Sequence, residues 1–225
     1  MASIDVLVEA APKRTFVAAT DWPGWARGGR TEDAAIETFL AYASRYDAVV
    51  RGVARFEPPS RTSDLNVIER IGGDSGTEFG IPSGSAKADL RPVDATELAR
   101  QIAILGACRR AFDIAAQQAV GVTLTVGPRG GGRTRDKIVR HVVEADQAYL
   151  QQLGTRPPKW TDESADDYGA TIRKLQIEAL TARVNDEPPP NPNAVRKLWA
   201  PRYFVRRAAW HLLDHAWELE DRSRR

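Results

Sequence analysis

The sequence predicts an α+β fold: a small α/β block over residues 1–90, followed by a four-helix bundle over residues 91–225. Two observations predict it. Up to about residue 90, short extended segments are punctuated by Gly and Pro. Beyond it, four long stretches each carry an apolar stripe at helical spacing. A third observation concerns function. The chain has three histidines, His141, His211 and His215, and all three fall on such stripes.

In the first block, Ile4 to Glu9 alternates loosely and predicts a strand, ended by Ala11-Pro12. Thr15 to Ala19 predicts a second strand. Asp21-Trp22-Pro23-Gly24-Trp25 reads as a turn, and Gly28-Gly29 reads as an extension of that break. Thr31 is a candidate N-cap, with Glu32 and Asp33 placed where the helix dipole favours acids. Ile36, Leu40, Ala43 and Val50 then mark a helix to about Arg55, stopped by Pro58-Pro59. Leu65 to Ile71 predicts a third strand and Thr77 to Ile81 a further short one.

In the second block, Asp94 or Thr96 caps a helix striped by Leu98, Ile102, Leu105, Cys108, Phe112 and Ala115. Gly121 to Arg133 breaks it, with Val122 to Val126 read as extended and Gly130 to Gly132 as loop. Thr134 starts a second helix carrying Ile138, His141, Val142, Ala145 and Tyr149, and Gly154 suits its C′ position. The third helix carries Tyr168, Ile172, Leu175, Ala179 and Ala182. The proline-rich stretch from Asn185 to Asn193 cannot be helical. Pro201 suits the first turn of a fourth helix, striped by Phe204, Ala208, His211, Leu212, His215 and Leu219. Four inward stripes read as a four-helix bundle.

Composition narrows the class. A net charge of +2 gives no argument for nucleic-acid binding. A single cysteine, Cys108, excludes an internal disulfide and a cysteine-based zinc site, and its place on a stripe assigns it to packing. The opening residues lack the apolar core of a signal peptide, and no run of 18 apolar residues occurs. A cytoplasmic, non-membrane protein is expected. Arg222, Arg224 and Arg225 read as a solvated basic tail.

One histidine on an apolar stripe is ordinarily a hydrogen-bonded core residue. Three, with none spent elsewhere, point to a shared partner. His211 and His215 are four apart, hence on one helical face. Two such nitrogens can share one metal at roughly 2.0–2.1 Å each, and a third from a neighbouring helix leaves a coordination position open. His141, His211 and His215 are therefore the expected ligands of a divalent metal.

The segments RTRDKIVRHVVEADQAYLQQLG and RYFVRRAAWHLLDHAWELEDR together resemble the DinB-like (YfiT-type) metalloprotein family over about residues 92–222. That pattern places one histidine in the second helix and HxxxH in the fourth, here His141, His211 and His215. The resemblance implies a bundle holding zinc or nickel. It also implies, from several members, use of a low-molecular-weight thiol, bacillithiol or mycothiol, in S-transfer or isomerisation. A small-molecule substrate is then expected. The runner-up is a metal-stabilised binding or regulatory protein without catalysis.

Other residues near the ligands have candidate roles. Glu144 and Glu218 lie one turn beyond His141 and His215. Each is a candidate to orient a ligand or to act as a general base, or else a charge on a solvated flank. Arg206 and Arg207 are candidates for binding an anionic substrate or thiol carboxylate, or else for pairing with acidic neighbours. Asp214 lies beside the histidine pair. Trp210 and Trp217 either line the site or fill the bundle. Pro128 to Arg133 precedes a helix N-terminus but lacks the lysine and spacing of a P-loop, which leaves it a connector.

The segment RTFVAATDWPGWARGGRTEDAAIETFLAYASRYDAVV is similar to the HicB-like fold: two strands, a turn and an Ala-rich helix. That resemblance implies a protein-interaction role. With no helix-turn-helix or ribbon signal beside it, the block is expected to be an accessory or dimerisation module. A homodimer is the partner it would provide, and nucleic acid is not expected.

Overall fold

The computed structural model describes residues 3–127 and 132–223. Four strands form one sheet: β1 (Ile4–Ala11), β2 (Arg14–Ala19), β3 (Ala26–Gly29) and β4 (Leu65–Gly72). The spatial order is β3-β2-β1-β4. β1 pairs antiparallel with β2 and parallel with β4, and β2 pairs antiparallel with β3. The parallel pairing requires a crossover, and α1 (Glu32–Ala41) and α2 (Ala43–Val50) supply it. Thr31 caps α1 as expected, its side chain accepting from the Ala34 amide.

Two local expectations are corrected. Gly28-Gly29 is not a break but the end of β3. A Cβ on Gly29 would lie 2.4 Å from the Ala35 amide nitrogen, so glycine is required because α1 starts against the strand. Thr77 is not in a strand but in the short helix α3 (Ser75–Phe79). The Asp74 side chain accepts from the Gly76 and Thr77 amides, while Thr77 Oγ1 accepts from the Asp74 amide. That reciprocal cap, closed by Gly80 at φ 108°, outweighs the strand preference of a β-branched residue. The segment from Val122 to Val126 carries no regular structure.

The four expected long helices are α4 (Ala95–Gln118), α5 (Arg135–Gln152), α6 (Ala165–Val184) and α7 (Pro201–Ser223). Asp94, Thr134 and Ser164 cap the first three through their side chains. Gly154 takes a positive φ of 81° just past α5. The helices close a bundle-like ring: α4 packs on α6 and α7, and α5 packs on α6 and α7.

One core runs through both blocks. It contains Val6, Trp25, Phe39 and Tyr46 together with Leu105, Cys108, Leu213 and Trp217. Trp25 stacks on Phe39 with ring centroids 3.9 Å apart, and its indole N–H donates to the Phe39 carbonyl. Gly24, at φ 96°, brings this turn against Leu213, Cys108 and Ala209.

The first block also fixes α7, through β2 and through the segment that follows α3. Phe16 packs edge-on against Trp210. Tyr203 donates its hydroxyl hydrogen to the Ser83 carbonyl at 2.7 Å. Arg206 forms a buried pair with Asp89, at 3.0 Å and 2.6 Å, and also donates to the Gly84 carbonyl. These contacts hold the first three turns of the helix that carries His211 and His215.

Candidate metal centre

His141 on α5 meets His211 and His215 on α7. The Nε2 atoms of His211 and His141 are 3.2 Å apart, and those of His215 and His211 are also 3.2 Å apart. One ligand atom from each of the three falls within 4.8 Å of the others. Three ligands at roughly 2.0–2.1 Å from one ion are separated by about 3.3 Å in tetrahedral geometry, so the set fits one cation. Two features decide this. The spacing of four puts His211 and His215 on one face of α7, and the α5–α7 packing supplies His141.

The nitrogens not directed at the centre are informative. His215 Nδ1 lies 2.8 Å from Glu218 Oε2, which fixes the tautomer with Nε2 free to ligate. Glu218 Oε1 accepts from Arg222 Nη1 at 2.7 Å. Arg222 in turn donates to the Thr125 and Arg133 carbonyls at 2.7 Å and 2.9 Å. His211 Nδ1 is buried and has no partner among the described residues.

The electrostatics favour neutral imidazoles, the ligating form. Burial pushes His141 down to about 4, and the charges of His215 and Arg133 act in the same direction. Burial also drives His211 well below the ordinary histidine value. Burial raises the Glu218 carboxyl, but hydrogen bonds from His215 and Arg222 outweigh that and hold it at about 2. Glu218 is thus a fixed carboxylate with both oxygens engaged.

The remaining expected site residues divide. Glu218 stands against a ligand, where it orients His215. Glu144 instead accepts from Arg140 Nε at 2.8 Å on a half-exposed flank. Arg206, a candidate for binding a cofactor, is consumed by Asp89 and buried against it. Arg207 lies one turn before His211, with its guanidinium 4.6 Å from the Trp210 ring centroid and 5.4 Å from that of Tyr149. Asp214 pairs with Arg27 at 3.1 Å. Trp210 and Trp217 are both core residues. Cys108 is fully buried, and burial pushes its thiol up to about 12, which suits packing rather than nucleophilic attack.

Arg222 corrects the reading of a solvated tail. It is buried and clamps Glu218 to the segment around Thr125. The signal was present: Glu218 and Arg222 continue the His211–His215 face at spacings of three and four. Arg224, Arg225 and the connector residues Pro128 to Gly131 lie outside the described residues.

Among the described residues, no helix is long and apolar enough to cross a membrane. No protein-family model matches the chain, and no curated protein or solved structure is detectably similar to it.

Proposed function

We propose that this chain is a DinB-like metalloenzyme that uses a low-molecular-weight thiol on a small electrophile, by S-transfer or isomerisation. The observation that carries the reading is the convergence of the His141, His211 and His215 nitrogens from two helices. Zinc or nickel suits an all-imidazole donor set. Bound there, the cation supplies Lewis-acid chemistry, favouring the deprotonated form of a thiol or of water.

The chain's own residues supply the rest. Three neutral imidazoles leave room for at least one further ligand. Glu218, held by Arg222, locks His215 in the ligating tautomer. His141 is the least buried of the three. In transfer, the thiol sulfur forms a bond to carbon as the leaving group departs with its electron pair, and the thiol proton passes to solvent. In isomerisation the thiol adds and is later expelled unchanged.

The test is turnover of an electrophilic thiol acceptor with mycothiol or bacillithiol, with and without added metal. The expected result is metal-dependent turnover that His215→Ala abolishes. Equal rates for wild type and His215→Ala reject the reading. Tight metal uptake with no exchangeable position would favour a non-catalytic, metal-stabilised role instead.

A further inference from the structure

Four arginines are buried among the described residues: Arg109, Arg206, Arg207 and Arg222. Three of them donate to protein acceptors, Arg109 to Gln176, Arg206 to Asp89 and Arg222 to Glu218. Arg207 is the exception. It is 8% exposed, and its Nη1 has no acceptor among the described residues. A buried cation without a counter-ion is costly to hold, and an anion supplied from solution would relieve that cost.

Two more donors beside it share the defect. Trp210 Nε1 and His211 Nδ1 are also buried without a partner. Residues 207, 210 and 211 lie at spacings of three and four, on neighbouring parts of one helical surface. The Arg207 guanidinium lies over the Trp210 ring, and the Trp210 and His211 ring centroids are 6.2 Å apart. Tyr149 closes the other side, 5.8 Å from His211 between ring centroids. The result is a run of N–H groups with no acidic partner among the described residues, beginning one helical turn from a metal ligand.

We propose that Arg207, with Trp210 beside it, forms the carboxylate subsite of the metal centre, taking a small organic acid whose other end reaches the histidines. This rests on the metal-centre reading above. A planar guanidinium recognises a carboxylate through two parallel hydrogen bonds, which a hydroxyl or amide cannot reproduce. One helical turn is about 5.4 Å of rise, the span of a three-carbon acid. A mercapto acid of that length matches the one-turn separation of Arg207 from His211.

The probes are 3-mercaptopropionate and its neutral analogue 2-mercaptoethanol, titrated into cobalt-loaded protein and followed by the sulfur-to-cobalt charge-transfer band. The expected result is at least tenfold tighter binding of 3-mercaptopropionate. Arg207→Gln should abolish that preference while leaving 2-mercaptoethanol binding in place, and Arg207→Lys should retain part of it. A preference that is absent, or that survives in Arg207→Gln, overturns the subsite and leaves the metal reading standing.

A second arm needs no metal. Malonate titrated into the metal-free protein should shift the Trp210 indole N–H resonance, assigned by its loss in Trp210→Phe. The shift should vanish in Arg207→Gln or, if that variant does not fold, weaken in Arg207→Lys. An indole resonance unmoved by malonate overturns the proposal. Failure of cobalt to bind at all would reject the metal centre, with this arm still deciding the subsite.

Discussion

Replacing Glu218 with glutamine separates a built metal centre from three histidines that merely meet. The carboxylate serves two donors at once, His215 Nδ1 at 2.8 Å and Arg222 Nη1 at 2.7 Å. A glutamine side chain of the same shape has one carbonyl oxygen. It can accept from one donor, but its amide group then faces the other. One buried donor is left unpaired, at a cost of about 1–3 kcal/mol, and the tautomer of His215 is no longer enforced. Loss of such a partner weakens metal affinity by about 10- to 100-fold, or about 1.4–2.7 kcal/mol. Glu144→Gln is the matched control, because Glu144 pairs with Arg140 on the exposed flank. Competition titration of zinc against a fluorescent chelator measures both variants. Unchanged affinity in Glu218→Gln, or equal loss in Glu144→Gln, would refute the assignment.

Other outcomes follow from the same geometry. His141 and His211 titrate below the ordinary 6.5 in the folded chain, so the unfolded chain takes up more protons as pH falls. The stability of the metal-free protein should therefore be full above about 6.5 and fall as the pH drops toward 4, as urea unfolding at stepped pH would show; constant stability across that window would contradict the burial of neutral imidazoles. Cys108 should resist a thiol reagent until the chain unfolds, and Cys108→Ala should keep metal binding; fast labelling of the native protein would contradict its packing role. Trp25→Ala should cost about 3–5 kcal/mol and shift sheet and bundle together in one transition, since Trp25 belongs to the core they share. Separate transitions monitored in the two blocks would count against that core.

How much of this was legible in the sequence depended on how local the cause is. Thr31, Asp94 and Thr134 announced their helices because a cap needs only its own side chain and the next turn. The His211–His215 pair was legible for the same reason, and His141 followed from its stripe. Gly29 and Thr77 misled because their roles are set elsewhere: the close approach of α1 demands glycine, and the Asp74 cap recruits threonine. Arg206 and Arg207 are adjacent and chemically identical, yet one meets Asp89 and the other leaves Nη1 without an acceptor among the described residues. That distinction needs the position of a residue more than a hundred places away, which no local pattern carries. The parallel pairing of β1 with β4 was hidden for the same reason.

The central claim is that His141, His211 and His215 hold one divalent cation. Elemental analysis by mass spectrometry, on protein purified without a metal-affinity column, tests it most directly. The account predicts one zinc or nickel ion per chain in the wild type, and little in folded His141→Ala or His215→Ala. A wild-type chain that takes up neither metal when supplied with excess, or a His215→Ala variant that binds as much, would contradict it.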